Sequence, residues 1–268
     1  MGMRIREHGD NVPKPMIDIG CRPILWHVMK YYAHFGHKDF ILCLGYQARV
    51  IKDYFLHYNE CLSNDFVLSD GGKQVELMQS DIHDWRITFA DTGADSNIAQ
   101  RLKNVQPYLG SDEVFLASYS DGLTDFPLPR LIDHFYKQQK TAAFLCVKPN
   151  ISYHFVSVKD GIVTAIHDIH QSSLRVNGGY FVFRRNIFDY IGEGEELVYE
   201  PFQRLIDKKE LLALNYDGFF ASMDTFKDKQ YLTNLYASGN APWEVWKREM
   251  NSQNHRRADT RSELQVPV

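Results

Sequence analysis

After a polar, proline-bearing opening that runs to Pro15, positions Ile24, Leu25, His27, Val28, Tyr31, Tyr32 and Phe35 recur at helical spacing, with Pro23 where a helix starts and Gly36 where it ends. The run Asp39–Leu44 (DFILCL) is short, apolar and closed by Gly45, which predicts a buried parallel strand, and helical spacing returns over 48–57. Helix, strand, helix is the grammar of an α/β fold.

Between Asn59 and Gln79 the chain is polar, with a Gly71-Gly72 turn. A strand is predicted over 85–90, a loop over 91–96 and a helix over 98–109. The strongly apolar strand 114–119 (VFLASY) runs into Ser120, Asp121, Gly122, Leu123, Thr124 and Asp125. Two carboxylates therefore sit just beyond a strand's carboxyl end, where open α/β sheets place ligands. A helix over 129–140, a strand at 142–147 and shorter strands at 155–158, 162–167 and 179–184 suggest a more antiparallel half, closed by helices near 199–208 and 226–236. Residues 251–268 are polar and aperiodic and are read as a disordered tail, which leaves 1–250 as one α/β domain.

The 268 residues suit one large α/β unit, and 44% hydrophobic with 24% charged residues excludes a collagenous or wholly disordered chain. Thirty basic against thirty-four acidic residues leave a net charge of −4, so there is no general electrostatic footprint for nucleic acid, although local basic sites remain open. Cys21, Cys43, Cys61 and Cys146 stand singly with no C-x-x-C pair, which argues against structural zinc and a disulfide framework and fits a reducing cytoplasm. No apolar run approaches the ~20 residues of a membrane helix, and the first residues lack the apolar core of a signal peptide. A cytoplasmic protein with no membrane partner is expected.

Candidate chemistry gathers at a few positions. Arg4 and Lys14 on one polar loop could neutralise phosphate oxygens, with Gly2 allowing close backbone approach, although a solvated basic loop has the same composition. Asp121, after a buried strand and before a glycine, is placed to hold Mg²⁺ against a polyphosphate, or else is a turn or cap aspartate. Asp224, before the helix at Phe226, is a second such carboxylate or an N-cap. Taken together, these residues point to one metal and a nucleoside triphosphate.

The segments KPM at 14–16, GCRPILWHVMKYY at 20–32, FILCLGY at 40–46, DTG at 91–93, RLKNV at 101–105, YSDG at 119–122, NGGYFVF at 177–183, MDT at 223–225 and APWEVW at 241–246 make the chain resemble the sugar-1-phosphate nucleotidyltransferases, and within them the glucose-1-phosphate cytidylyltransferases. The resemblance implies a Rossmann-like doubly wound mixed sheet of the nucleotide-diphospho-sugar transferase type with a smaller antiparallel part. It implies transfer of CMP from CTP to a phosphorylated small-molecule acceptor with release of pyrophosphate, assisted by Mg²⁺, for surface-glycan assembly. By the same resemblance Gly2, Met3, Arg4 and Lys14 contact the nucleotide, Arg4 and Lys14 act in catalysis, Asp121 and Asp224 hold Mg²⁺, and Asn177, Gly178 and Glu200 meet the acceptor. A homo-oligomer is left open. A phosphate monoester is already nucleophilic, so positioning and charge neutralisation suffice, and His27, His34 and His37 need no catalytic role.

Two departures qualify the match. The family's first strand and paired glycines are not present before Met3 and Arg4, which predicts exposed edges on two neighbouring strands and a true start upstream of Met1. The family's Glu-Lys-Pro before NGGYF, whose lysine grips the sugar phosphate, reads His167-Asp168-Ile169-His170-Gln171, and its sugar loop reads Ile151-Ser152-Tyr153-His154-Phe155. Either the acceptor is not glucose 1-phosphate, with His170 or Arg175 as replacement cation, or the chain is a non-catalytic, nucleotide-binding or regulatory relative.

Overall fold

A computed structural model describes residues 12–149, 154–169 and 173–247, without the side chain of Phe155. Gly2, Met3, Arg4, the upstream start, His170, the altered residues 151–153 and the tail 251–268 lie outside the described residues.

A tight hairpin of β1 (Asp18–Ile19) and β2 (Arg22–Pro23) leads directly into α1 (Ile24–His34). Helix α1 buries nearly every side chain, from Ile24 to Tyr32, as a helix that is apolar all round must. Strand β3 (Asp39–Leu44), helix α2 (Ala48–Leu56), the hairpin β4 (Phe66–Ser69) and β5 (Gln74–Leu77), and strand β6 (Arg86–Asp91) follow, with β3 and β6 parallel. Next come α3 (Ile98–Asn104), β7 (Val114–Ser118), β8 (Gly122–Thr124), α4 (Pro129–Gln138), β9 (Ala142–Val147) and the hairpin β10 (His154–Lys159) and β11 (Ile162–Asp168). The chain continues through β12 (Val176–Arg184), α5 (Glu200–Asp207), β13 (Leu211–Tyr216), β14 (Phe220–Ser222) and α6 (Phe226–Ala237).

The central sheet is mixed, in the order β13-β9-β12-β7, with β12 antiparallel to both neighbours and β13 parallel to β9. Strands β7, β9 and β13 thus run the same way, and their carboxyl ends share one edge with the start of β12. On one face Ala143, Leu145, Val147, Tyr180 and Val182 pack with Val28 and Tyr31 of α1, Leu131 and Phe135 of α4 and Leu232 of α6. On the other, Ala142, Phe181 and Phe183 pack with Leu102 of α3 and Phe202 and Leu205 of α5. Helices on both faces make the sheet doubly wound, the fold class expected from the alternation of elements. No helix among the described residues is long and apolar enough to cross a membrane.

Several expectations need correction. The helix over 98–109 divides into α3 and a 3₁₀ turn at Gln106–Leu109, because Pro107 brings no N–H to continue the ladder. DFILCL is a parallel strand, but only Leu44 is buried; among the described residues β3 and β7 each have a ladder partner on one side only. The polar stretch around Gly71-Gly72 is a turn, as read, yet it joins two strands whose residues are all exposed. The short strands β8 and β14, and the edge strand β13, were not anticipated.

Candidate active site

Lys14 opens a 3₁₀ turn after Pro13, and the buried side chain of Met16 pins that turn against Leu25 and Met29 of α1 and Leu44 at the end of β3. Asp121 lies between β7 and β8. Its loop is held by backbone bonds: the N–H of Tyr119 donates to the Gly179 carbonyl, the N–H of Met223 donates to the Asp121 carbonyl at 2.9 Å, and the Tyr180 hydroxyl donates to the Gly122 carbonyl at 2.8 Å. Because β14 pairs with β8 in the register Ser222↔Gly122, the end of β14 delivers Asp224 to the same place.

The three side chains meet. Lys14 Nζ donates to Asp121 Oδ2 at 2.5 Å and to Asp224 Oδ1 at 2.7 Å, and the Ser222 hydroxyl donates to the other oxygen of Asp224 at 2.8 Å. Burial pulls the Lys14 pKa down, but the charges of Asp121 and Asp224 and the hydrogen bonds to them outweigh it, so the ammonium lies above the ordinary lysine range. Asp224 is not the helix cap: Thr225 is, in a reciprocal capping box with Asp228. The second carboxylate of the YSDGLTD segment, Asp125, has a structural task, accepting from the Tyr216 hydroxyl at 2.5 Å and the Phe219 N–H at 3.0 Å.

Two carboxylates that converge on one cation offer hard oxygen donors for a small divalent ion. Among the described residues no group of three or more His, Cys, Asp or Glu side chains forms a metal cage. A two-carboxylate set fits Mg²⁺, which keeps waters and takes substrate phosphate oxygens for the rest of its octahedron.

Of Asn177, Gly178 and Glu200, the first two sit next to this cluster. A side chain at Gly122 would approach the Phe220 ring at 3.3 Å and the Gly178 carbonyl at 3.6 Å, so the YSDG and NGG segments abut. Gly178 lies against the Leu145 carbonyl and Val147, and Gly179, at φ +74°, leaves no room for a side chain beneath the Tyr119 ring. Asn177 Oδ1 accepts from the Gly179 N–H at 2.8 Å, and the Asn177 side chain is hydrogen-bonded with the Tyr119 hydroxyl. Burial, with the Glu196 charge added, pushes Tyr119 up to about 12. Glu200 stands exposed in the first turn of α5, where one carboxylate oxygen accepts from the Glu196 N–H at 3.2 Å.

A cavity of about 970 Å³ lies elsewhere, lined among others by Arg22, Trp26, Lys30, Ser63, Tyr236 and Trp246. The buried Arg22 guanidinium in its wall donates to Ser63 Oγ, Tyr54 Oη, the Asn59 carbonyl and Asp81, which ties the 59–63 and 81 segments to the hairpin before α1. His27 is likewise structural: its Nε2–H donates to the Ile19 carbonyl at 3.0 Å while Nδ1 accepts from Trp243 Nε1–H at 3.3 Å. Sequence reasoning passed over Ser222 and Lys148. Lys148 follows the carboxyl end of β9, the same kind of position that singled out Asp121 after β7.

Two carboxylates and a lysine thus converge at the carboxyl edge of a doubly wound sheet, where open α/β sheets bind ligands. No protein-family model matches the chain. It is 36% identical over 248 residues to the glucose-1-phosphate cytidylyltransferase of Salmonella typhimurium, covering 92% of this chain and 96% of that protein. It is 23% identical to the mannose-1-phosphate guanyltransferase of Kluyveromyces lactis, over 87% of this chain and 60% of that one. Among solved structures it superposes on HddC from Yersinia pseudotuberculosis with a TM-score of 0.62 at 17% identity, covering 88% of this chain and 95% of that one. A UDP-glucose pyrophosphorylase from Acinetobacter baumannii matches with a TM-score of 0.64 at 14% identity, over 94% and 95% of the two chains. The chain belongs to the glucose-1-phosphate cytidylyltransferase family, and its fold is that of the nucleotide-diphospho-sugar transferases. It is an enzyme of sugar-phosphate nucleotidyl transfer.

Proposed function

We propose that the chain transfers CMP from CTP to the phosphate of a small-molecule acceptor, in the cytoplasm, to activate a building block for surface glycan. The observation that carries this reading is the meeting of Lys14, Asp121 and Asp224 at the carboxyl edge of the sheet.

An acceptor phosphate oxygen attacks the α-phosphorus in line; the bond from that phosphorus to the bridging oxygen breaks, and pyrophosphate leaves with the electron pair. The attacking oxygen is already anionic, so no protein base takes a proton. Asp121 and Asp224 would hold Mg²⁺, which when bound supplies neutralisation of the triphosphate charge. Lys14, kept cationic by those carboxylates, turns to the phosphates, and Arg4 is assigned the same task from the family resemblance. Asn177 and Gly178, fixed against Tyr119 and β9, orient the acceptor, with Glu200 at its outer side.

Pyrophosphate release measured with Mg²⁺ across CTP, UTP, GTP, ATP and dTTP, each against a panel of sugar 1-phosphates and other phosphorylated metabolites, tests the reading. Highest kcat/KM with CTP is expected. Preference for another base would overturn the cytidylyl assignment, and silence across the panel would overturn transfer itself in favour of a non-catalytic relative.

A further inference from the structure

This inference rests on the nucleotidyl-transfer reading and concerns which ion the two carboxylates take. Asp121 and Asp224 differ in their surroundings: the Asp121 side chain is 25% exposed and that of Asp224 60%. An aspartate so open to water rotates about its side-chain bonds unless a neighbour fixes it. Ser222 is placed to do that.

Ala221 and Met223 are fully buried, so the half-buried Ser222 and the exposed Asp224, two positions apart, fall on the opposite face of the same extended segment. Other groups anchor the main chain at both positions. Ser222 pairs with Gly122 in the ladder of β14 and β8, the Met223 N–H donates to the Asp121 carbonyl at 2.9 Å, and the Asp224 N–H donates to Asp228 Oδ2 at 3.1 Å. The Ser222 hydroxyl can therefore be removed without loosening the strand, and its bond is to the carboxylate, at 2.8 Å.

The two oxygens of Asp224 are divided between two donors. Oδ1 accepts from Lys14 Nζ, which also donates to Asp121 Oδ2, so Oδ1 faces the point where the carboxylates converge. Oδ2 accepts from Ser222. A carboxylate held in this way presents one oxygen to an ion at that point, and gripping the ion with both would draw Oδ2 off the hydroxyl. Mg²⁺ demands a near-ideal octahedron at short distances, whereas Ca²⁺ accepts more oxygens, looser geometry and carboxylates that bind through both. The ammonium of Lys14 must withdraw for either ion, so its cost cancels when the two affinities are compared.

We propose that Ser222 is a positioning residue that keeps Asp224 a one-oxygen ligand and so biases the site toward Mg²⁺ over Ca²⁺.

The test uses the full chain, Ser222→Ala, which removes the donor, and Ser222→Thr, which keeps it, with metal-free melting curves to show that each variant folds. Melting temperature is then titrated with Mg²⁺ alone and with Ca²⁺ alone. Mg²⁺ affinity should fall about three- to tenfold in Ser222→Ala, the scale of one ordinary hydrogen bond and less than the loss of a buried outer-shell partner, with Ca²⁺ affinity within about twofold of wild type. Ser222→Thr should restore the preference. At saturating CTP, the Mg²⁺ concentration for half-maximal pyrophosphate release should rise by the same factor in Ser222→Ala, with acceptor KM unchanged. An unchanged ratio of Mg²⁺ to Ca²⁺ affinity in that variant would overturn the proposal, and so would equal losses for both ions or a wild-type chain whose melting responds to neither. An unchanged ratio alongside pyrophosphate release sinks the role of Ser222 and leaves nucleotidyl transfer standing. A Ser222-dependent preference for Mg²⁺ without pyrophosphate release from any pair of substrates does the reverse.

Discussion

On the proposed metal side of the sheet edge, Lys14 reaches across 107 and 210 positions of chain to Asp121 and Asp224, and the Asp121 carbonyl accepts from the N–H of Met223, the residue before Asp224. On the acceptor side, Asn177 turns onto the N–H of Gly179 two residues away, and Glu200 onto the N–H of Glu196 four residues away. The first arrangement exists only when the whole fold is in place and gathers charge at one point. The second relies more on bonds within one segment, and Glu200 stands exposed, so that residue can be exchanged without disturbing the sheet. Substitutions on the metal side should therefore act on turnover, and those on the acceptor side on acceptor KM.

The sharpest test of that division is Asp121→Asn. The amide keeps the shape, and the backbone carbonyl that accepts from Met223 is untouched, so the variant should melt near the wild-type temperature. Its kcat for pyrophosphate release should fall roughly a thousandfold, because metal-assisted neutralisation is worth several kcal/mol. A variant that keeps more than about a tenth of wild-type turnover would remove Asp121 from the metal, given that each factor of ten is only ~1.4 kcal/mol.

Acid should loosen the metal side first. Burial pushes the His27 pKa down to about 4 from an ordinary 6.5, so the folded chain holds the ring neutral while the unfolded chain protonates it. The stability this contributes is complete above about pH 6.5 and is lost as pH falls toward 4, a change of up to about 3 kcal/mol. A proton on Nδ1 would set it against the Trp243 N–H, and the other ring nitrogen holds the Ile19 carbonyl, on the segment that continues from Lys14. Chemical denaturation at a series of pH values should show stability dropping through this window, with the CTP KM rising before the acceptor KM. His27→Asn should flatten the dependence; an unchanged slope in that variant would assign the acid loss to other groups.

Lys14→Gln comes next in size. Losing its contact should lower kcat/KM for CTP about ten- to a hundredfold. It also leaves two carboxylates facing one another, so Mg²⁺ without nucleotide should raise the melting temperature of the variant more than that of wild type. Equal Mg²⁺ shifts in the two proteins would show that the lysine does not stand where the ion binds.

The legibility of the molecule follows the same contrast. Asp121 and Asp224 could be picked out because each stands at the end of an apolar stretch, one after VFLASY and one before a helix. Their meeting could not, since it depends on β14 pairing with β8, and a three-residue strand has too little pattern to be seen. The hairpin of β4 and β5 escaped because all of its residues are exposed, so there is no alternation of buried and polar positions to read. LLALNY of β13 reads as an apolar run of ambiguous period, and only its parallel pairing with β9 makes it a strand and brings Asp217 to Arg175. The continuous apolar run of DFILCL predicts a parallel strand, which β3 is, but not its partial exposure, since burial depends on neighbours that the run itself does not specify.

Glu200→Gln should have the smallest effect and bears most directly on the acceptor side. The carboxylate sits in the first turn of α5, where negative charge is favoured by the helix N-terminus, and it accepts a single backbone N–H at 3.2 Å. Glutamine keeps an acceptor oxygen for that bond and removes only the charge, and a contact to an acceptor hydroxyl survives in weaker form. The acceptor KM should therefore rise about three- to tenfold, the scale of one ordinary hydrogen bond, with kcat and the CTP KM unchanged. A drop in kcat on the order of a hundredfold, with acceptor KM steady, would place Glu200 with the reacting atoms and break the division between a metal side that sets turnover and an acceptor side that sets affinity.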